Sequence, residues 1–279
     1  MSVVNLPQKR IEITPQYYIV KKEIRESGLH TICEQARCPN IFECFSEKRV
    51  TFLILGDTCS RGCSFCAVKK GRLQDVDKSE PQKIARFVEK FGIRNVVITS
   101  VCRDDLKDYG AQQFVEVIAE IKKLNRDIKI EVLIPDFRGE VNLIAKVVHS
   151  GPEVVSHNLE TVPRLSPVVR KGASYNLSLT VLKMIKEIDK NVITKSALLL
   201  GMGEEPGEVL DTIKDIREAG CDVLVLGQYL KPHRNSWKVK KILTLDEFGY
   251  YKQQAVKMGF KEVFADTWAR SSNCNCFSV

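Results

Sequence analysis

Histidine is scarce in this 279-residue chain, with four in all, and none has a partner at a spacing that suggests a metal site; His30, three residues before Cys33, is the nearest to any cluster of cysteines. Long apolar runs are missing as well. The stretch from Ser196 to Met202 and its like are broken by glycine and charge well short of the ~18 residues a bilayer span requires, so no membrane association is expected. The first ten residues, MSVVNLPQKR, lack both the apolar core of a secretory signal and the Arg/Ser-rich pattern of a transit peptide, which makes a cytoplasmic site the expectation. Blocks of like charge are absent although 43 Lys and Arg against 35 Asp and Glu leave a net charge of +8. No Arg-rich stripe is interleaved with aromatics, and no nucleic-acid partner is expected. Neither a Gly-x-Gly-x-x-Gly turn nor a Walker-type loop occurs, which argues against a nucleotide site with the usual phosphate cradle. Gly201-Met202-Gly203 is a lone glycine pair that reads as a plain turn.

What is present is a chain that is 44% hydrophobic and 28% charged, enough for one barrel-sized core. From residue 51 onward, short β-rich runs alternate with amphipathic segments, the pattern of parallel β/α units. Strands are expected at 51–56, 95–100, 129–134, 153–158, 192–199 and 222–228. Helices are expected at 81–91, 111–124, 140–149, 177–188, 206–219 and 245–258. Six such units fit an α/β partial (β/α)6 TIM-type barrel or a doubly wound sheet. The barrel is favoured because Asp57, Arg103 to Asp105, Asp136, Asn158 with Glu160, and Gln228 all follow strands, where barrel loops build active sites. The expected organisation is an N-terminal extension over 1–50, a barrel over 51–265 and a C-terminal tail over 266–279 that closes the barrel mouth.

Ten cysteines are the conspicuous excess, and six fall between residues 33 and 66. Without a secretory signal they point to metal or redox chemistry, not to disulfides. Cys59, Cys63 and Cys66 form a Cys-x3-Cys-x2-Cys run directly after a strand. Three thiolates on one short loop can hold three irons of a 4Fe-4S cluster and leave the fourth open to a substrate or cofactor. Zinc is the alternative, although it usually draws paired knuckles or histidine. Cys33, Cys38 and Cys44, spaced Cys-x4-Cys-x5-Cys, are a second three-thiol set, again one ligand short. Cys102 and Cys221 read as small apolar filling beside strands, and Cys274 and Cys276 as thiols of a frayed tail.

The first set, with Phe65 before its last cysteine, resembles the signature of the radical S-adenosylmethionine superfamily. The second set extends the resemblance to the lipoyl synthase family within it. So do Val97-Ile98-Thr99-Ser100-Val101 with Arg103-Asp104-Asp105-Leu106, the run from His157 to Leu165, Gly227-Gln228-Tyr229-Leu230, and Arg270-Ser271-Ser272. The likeness covers roughly residues 30 to 272. It departs at Asn273-Cys274-Asn275-Cys276, where the family follows its serines with Tyr, and at Cys102, where the family usually carries Asp or Thr.

The resemblance implies a sulfurtransferase with two 4Fe-4S clusters and S-adenosylmethionine, inserting sulfur at carbons 6 and 8 of a protein-bound octanoyl chain. It further implies that Cys59, Cys63 and Cys66 hold the catalytic cluster. Cys33, Cys38 and Cys44 would hold an auxiliary cluster that donates sulfur, completed by Ser272 with Ser271 in reserve. Phe65, Asn158, Glu160, Arg170 and Lys195 become candidates to orient S-adenosylmethionine, since a carboxylate suits Arg or Lys and ribose hydroxyls suit Asn or Glu. Implied partners are an octanoylated lipoyl carrier protein (the lipoyl domain of a 2-oxoacid dehydrogenase or a glycine cleavage H protein), a small reductant such as ferredoxin or flavodoxin, and an iron-sulfur carrier for cluster repair. The competing readings are a biotin-synthase-like sulfur inserter acting on a free small molecule and a non-catalytic iron-sulfur carrier; two sites each lacking a ligand weigh against the carrier.

Overall fold

The computed structural model describes residues 8–273 and Phe277. Nine strands occur among them: β1 (Thr51–Ile54), β2 (Thr58–Cys59), β3 (Lys69–Lys70), β4 (Asn95–Ser100), β5 (Lys129–Leu133), β6 (Val154–Ser156), β7 (Ile193–Leu200), β8 (Val223–Gln228) and β9 (Glu262–Asp266). Ten α-helices accompany them: α1 (Pro15–Glu26), α2 (Ile32–Gln35), α3 (Ile41–Ser46), α4 (Glu80–Phe91), α5 (Ala111–Leu124), α6 (Val141–Val148), α7 (Ser166–Val169), α8 (Tyr175–Ile188), α9 (Pro206–Glu218) and α10 (Leu245–Lys257). None is long and apolar enough to cross a membrane.

The main sheet has the order β1-β4-β5-β6-β7-β8-β9. Each of its strands lies beside the main-sheet strand that precedes it, without reversal, as in a partial TIM-type barrel and unlike a doubly wound sheet, whose order turns back on itself. The six expected strands are all present, and a seventh, β9, pairs with β8 in parallel. Its pattern Glu-Val-Phe-Ala-Asp, with charged ends and a half-buried middle, falls below the continuous apolar run that marks β1 or β8.

The described residues divide into two compact units, one of Ile11–Gly62 with Ala67–Val155, the other of residues up to Arg10, Cys63–Cys66 and Ser156 onward. In the first, β1, β4 and β5 pair in parallel. Phe114, Val117, Ile118 and Ile121 on one face of α5 are fully buried, which is the helical spacing read from the sequence. The residues ahead of β1 fold onto it: Leu53 donates its amide to His30 (2.9 Å), Thr31 bridges Phe52, and the Thr31 hydroxyl caps α2.

In the second unit β7, β8 and β9 pair in parallel over a core that includes Leu198, Leu224, Ile213 and Phe248. Asp222, at the entrance to β8, is nearly buried and accepts from Lys186 Nζ (2.6 Å) and from the Thr194 amide and hydroxyl (both 3.1 Å). Burial works to raise this carboxyl, but those donors win and hold it below the usual carboxylate range. A depressed folded value means the stabilisation is present above the ordinary carboxylate pKa and is lost as pH falls through the folded one. Asp222→Asn is therefore expected to cost about 1–3 kcal/mol in urea unfolding at pH 7, and the gap between variant and parent should close in acid. An equal gap at both pH values would contradict the assignment.

Candidate functional site

β1 ends in a turn that launches the cysteine loop. Leu55 (φ 70°) and Gly56 (φ 92°) are both left-handed, and a bulky residue enters that region only when its surroundings impose it. The imposition is visible: the Leu55 amide donates to buried Glu80 Oε2 (3.1 Å), and its carbonyl accepts from Arg103 Nη1 (3.2 Å). Gln113 donates to the same Glu80 oxygen (2.8 Å), and Arg103 is in turn gripped by both oxygens of Asp105.

Beyond the turn, Thr58 and Cys59 pair with Lys69 and Lys70, and Asp57 accepts from Lys69 Nζ (2.6 Å). The Ser60 amide reaches the Cys102 carbonyl (3.0 Å). Arg61 forks between two carboxylates, with Nε and Nη2 on Asp104 (2.9 and 2.8 Å) and Nη1 and Nη2 on Asp136 (2.6 and 2.8 Å). Burial of Asp104 opposes ionisation, yet the Arg61 fork and the Ser60 hydroxyl bring it down to about 2. Cys102, expected as filler, lies near Cys59 because the turn after β4 runs against Ser60; its proximity and the Arg61 amide (3.4 Å) lower the Cys59 thiol against the cost of burial. Cys221 is the buried filler expected of it, its thiol on the Val223 carbonyl (3.3 Å).

The later part of the loop belongs to the second unit. The Ser64 amide donates to the Val169 carbonyl and its carbonyl accepts from the Trp237 amide (both 2.8 Å), while Phe65 packs on the core of that unit. There Asn158, Glu160 and Arg170 form one network. Asn158 Nδ2 donates to Glu160 Oε1 (3.0 Å), and Arg170 reaches the Asn158 carbonyl (3.2 Å) and the Ser178 hydroxyl (3.1 Å). Glu160 is left-handed (φ 66°); desolvation raises its carboxyl against the pull of Arg170, Asn158 and Arg270. Among the described residues Asn158 Oδ1 and the Ser271 hydroxyl are buried and find no hydrogen-bond partner, the condition a polar ligand relieves. Lys195, the remaining candidate, lies on β7. It is fully buried, and its ammonium donates to the Ser271 carbonyl (2.7 Å). Gln228 is likewise structural, clipping the backbone at Leu200, Tyr229, Lys241 and Leu243.

The N-terminal thiols lie in the first unit. Cys33 and Cys44 are buried on α2 and α3, and the Cys38 amide donates to the Cys33 carbonyl (3.0 Å). Burial pushes the Cys33 thiol up to about 12, with the neighbouring Cys38 and Cys44 adding to the rise. Such crowding is unfavourable for three anions alone and favourable around a cation, so the donor set suits a thiophilic cluster. Among the described residues no three His, Cys, Asp or Glu side chains are drawn together to metal-ligand geometry. Ser272 is half-buried in a short turn at Ser271–Asn273; Cys274 and Cys276 lie outside the described residues.

Arg61, Glu80 and Gly227 (below) escaped the sequence reading. A cation between two cysteines of a tight spacing was the one visible sign, because a charge enclosed by that loop needs a carboxylate partner.

The profile of the Radical SAM superfamily matches residues 53–216. The chain is 50% identical over 263 residues to the lipoyl synthase of Caldicellulosiruptor saccharolyticus, covering 94% of this chain and 92% of that one. It is 50% identical over 255 residues to the lipoyl synthase of Aquifex aeolicus, with 91% and 92% covered. At the level of fold it is similar to the crystal structure of Streptococcus suis SuiB bound to S-adenosylmethionine (TM-score 0.61, 14% identity, 89% of this chain and 61% of that one). Methylornithine synthase is similar too (TM-score 0.56, 14% identity, 78% and 71%).

Proposed function

Because this chain belongs to the lipoyl synthase family of the radical SAM superfamily, whose members insert sulfur to form the lipoyl group, we propose a division of that work between its two cysteine sets. Cys59, Cys63 and Cys66 hold the catalytic 4Fe-4S cluster; Cys33, Cys38 and Cys44, with Ser272, hold the auxiliary one. When bound, the first cluster with S-adenosylmethionine supplies a 5′-deoxyadenosyl radical for hydrogen abstraction, and the second supplies the sulfur placed at carbons 6 and 8. The observation that carries the reading is a second three-thiol set on α2, α3 and the turn between them, with Cys38 and Cys44 as charge neighbours of buried Cys33, apart in sequence from the loop set.

The chain's own residues prepare the rest. Glu80 and Arg103 fix the turn from which the loop departs, and Arg61 pins the loop between Asp104 and Asp136. The open lone pair of Asn158 Oδ1 accepts from a ribose hydroxyl, Glu160 is held beside it, and Phe65 supplies an apolar wall for adenine. Arg170 keeps Asn158 in place and adds positive charge for the carboxylate of S-adenosylmethionine.

The substrate is an octanoylated lipoyl domain, and a reductant is required. The lipoyl domain of a 2-oxoacid dehydrogenase or the glycine cleavage H protein serves as carrier, ferredoxin or flavodoxin as electron source, and an iron-sulfur carrier restores the auxiliary cluster. The test offers cluster-loaded protein either an octanoylated lipoyl domain or dethiobiotin, with mass spectrometry of both products. Two sulfurs on the octanoyl chain and none on dethiobiotin are expected; sulfur on dethiobiotin, or on neither, would refute the proposal.

A further inference from the structure

We propose that Lys195 and Gly227 are positioning residues that seat the C-terminal segment Ala269–Ser272 on β7 and β8 and so present its serine, an inference that rests on the two-cluster reading above. Side chains alternate across a strand, so Lys195 and Ala197 share one face of β7, and Val225 and Gly227 share one face of β8. The register sets Ala197 opposite Val225 and Leu199 opposite Gly227. Ala269 packs between Ala197 and Val225 as a buried plug. Next to it a Cβ on Gly227 would stand 2.1 Å from the Ala269 carbonyl oxygen and 3.0 Å from Arg270 Nη1. Gly227 is not among the glycines with positive φ, so its own conformation does not demand glycine. The missing side chain makes room for the segment that crosses it.

Lys195 holds the next residue. A fully buried ammonium is expensive to desolvate, and this one donates to the Ser271 carbonyl at 2.7 Å. Asp266 starts the crossing, accepting from the amides of Trp268 and Ala269 as the chain leaves β9. Four features from three strands thus hold a segment of four residues, with Ser271 buried and Ser272 half-buried. A serine on iron is a hard ligand on a thiophilic metal, and a weak bond of that kind depends on its backbone being held in place.

The test uses the cluster-loaded full chain and two readouts. In hydrogen exchange read by mass spectrometry, Lys195→Met and Gly227→Ala should each reduce protection of Ala269–Ser272 by about tenfold or more, with β7 and β8 peptides unchanged. Lys195→Arg, which keeps a donor, should restore most of it, and Ser272→Ala, which leaves the seat intact, should keep it. Mössbauer spectra, taken with Cys59, Cys63 and Cys66 all replaced by alanine so that only the auxiliary cluster remains, should show one oxygen-ligated iron that Lys195→Met and Ser272→Ala abolish alike. Full protection of the segment in both Lys195→Met and Gly227→Ala would overturn the seat. Should Lys195→Met unfold β7 as well, Gly227→Ala decides alone, since it acts on the segment without removing a buried charge. If Ser272→Ala leaves the spectrum unchanged while the segment still depends on Lys195 and Gly227, the ligand reading falls and the seat stands.

Discussion

With Cys59, Cys63 and Cys66 all changed to alanine, cleavage of S-adenosylmethionine by the reduced protein should fall by more than about 10³-fold, while about four irons per chain remain at the other site. Of the loop's anchors the variant loses the Arg61 amide on the Cys59 sulfur (3.4 Å) and the Cys63 thiol on the Lys171 carbonyl (4.0 Å), and the stronger ones stay. Ser60 stays on the Cys102 carbonyl, Arg61 on Asp104 and Asp136, and Ser64 on Val169. Loss of activity is then a loss of ligands, with circular dichroism unchanged as the control. Undiminished production of 5′-deoxyadenosine would refute the assignment of these three residues.

The complementary variant, Cys33, Cys38 and Cys44 to alanine, should separate the two halves of the reaction. Formation of 5′-deoxyadenosine should persist, and lipoyl product should drop below detection, a loss of more than about 10²-fold. The start of α2 is tied to β1 through His30 and Thr31, and the Arg49 amide holds the Cys44 carbonyl of α3 (2.7 Å), backbone contacts that the substitutions leave in place. Cys33 and Cys44 are buried, so the truncations should cost about 1–2 kcal/mol each in cluster-free stability. Lipoyl product from this variant would remove the donor role.

The periodic part of the molecule was legible from sequence because pattern alone dictates it. Strand β4 and helix α5 have the bounds that alternation and helical spacing indicate, Asn95–Ser100 and Ala111–Leu124. Strand β9 was missed since Glu262 and Asp266 dilute a short run of Val, Phe and Ala, and only its neighbour β8 makes it a strand. The cysteines announced themselves by spacing, a local property. Their supports did not, because Glu80 meets Leu55, and Arg61 meets Asp136, across 25 and 75 residues of chain. Lys195 shows the limit most clearly: a lysine within a strand is read for its charge, whereas the carbonyl it meets lies 76 residues away.

The unreversed order of the main sheet also bears on how the molecule assembles. Since each strand of the main sheet after β1 lies beside the main-sheet strand that precedes it, each pairing closes a loop of modest length, and no early strand must wait for a distant partner. Refolding should therefore proceed by accretion from one edge to the other. On that order the seat for the serine segment, built from β7, β8 and the turn after β9, is expected among the last pieces to form, after the thiols of α2, α3 and the turn between them have had time to meet iron or an oxidant.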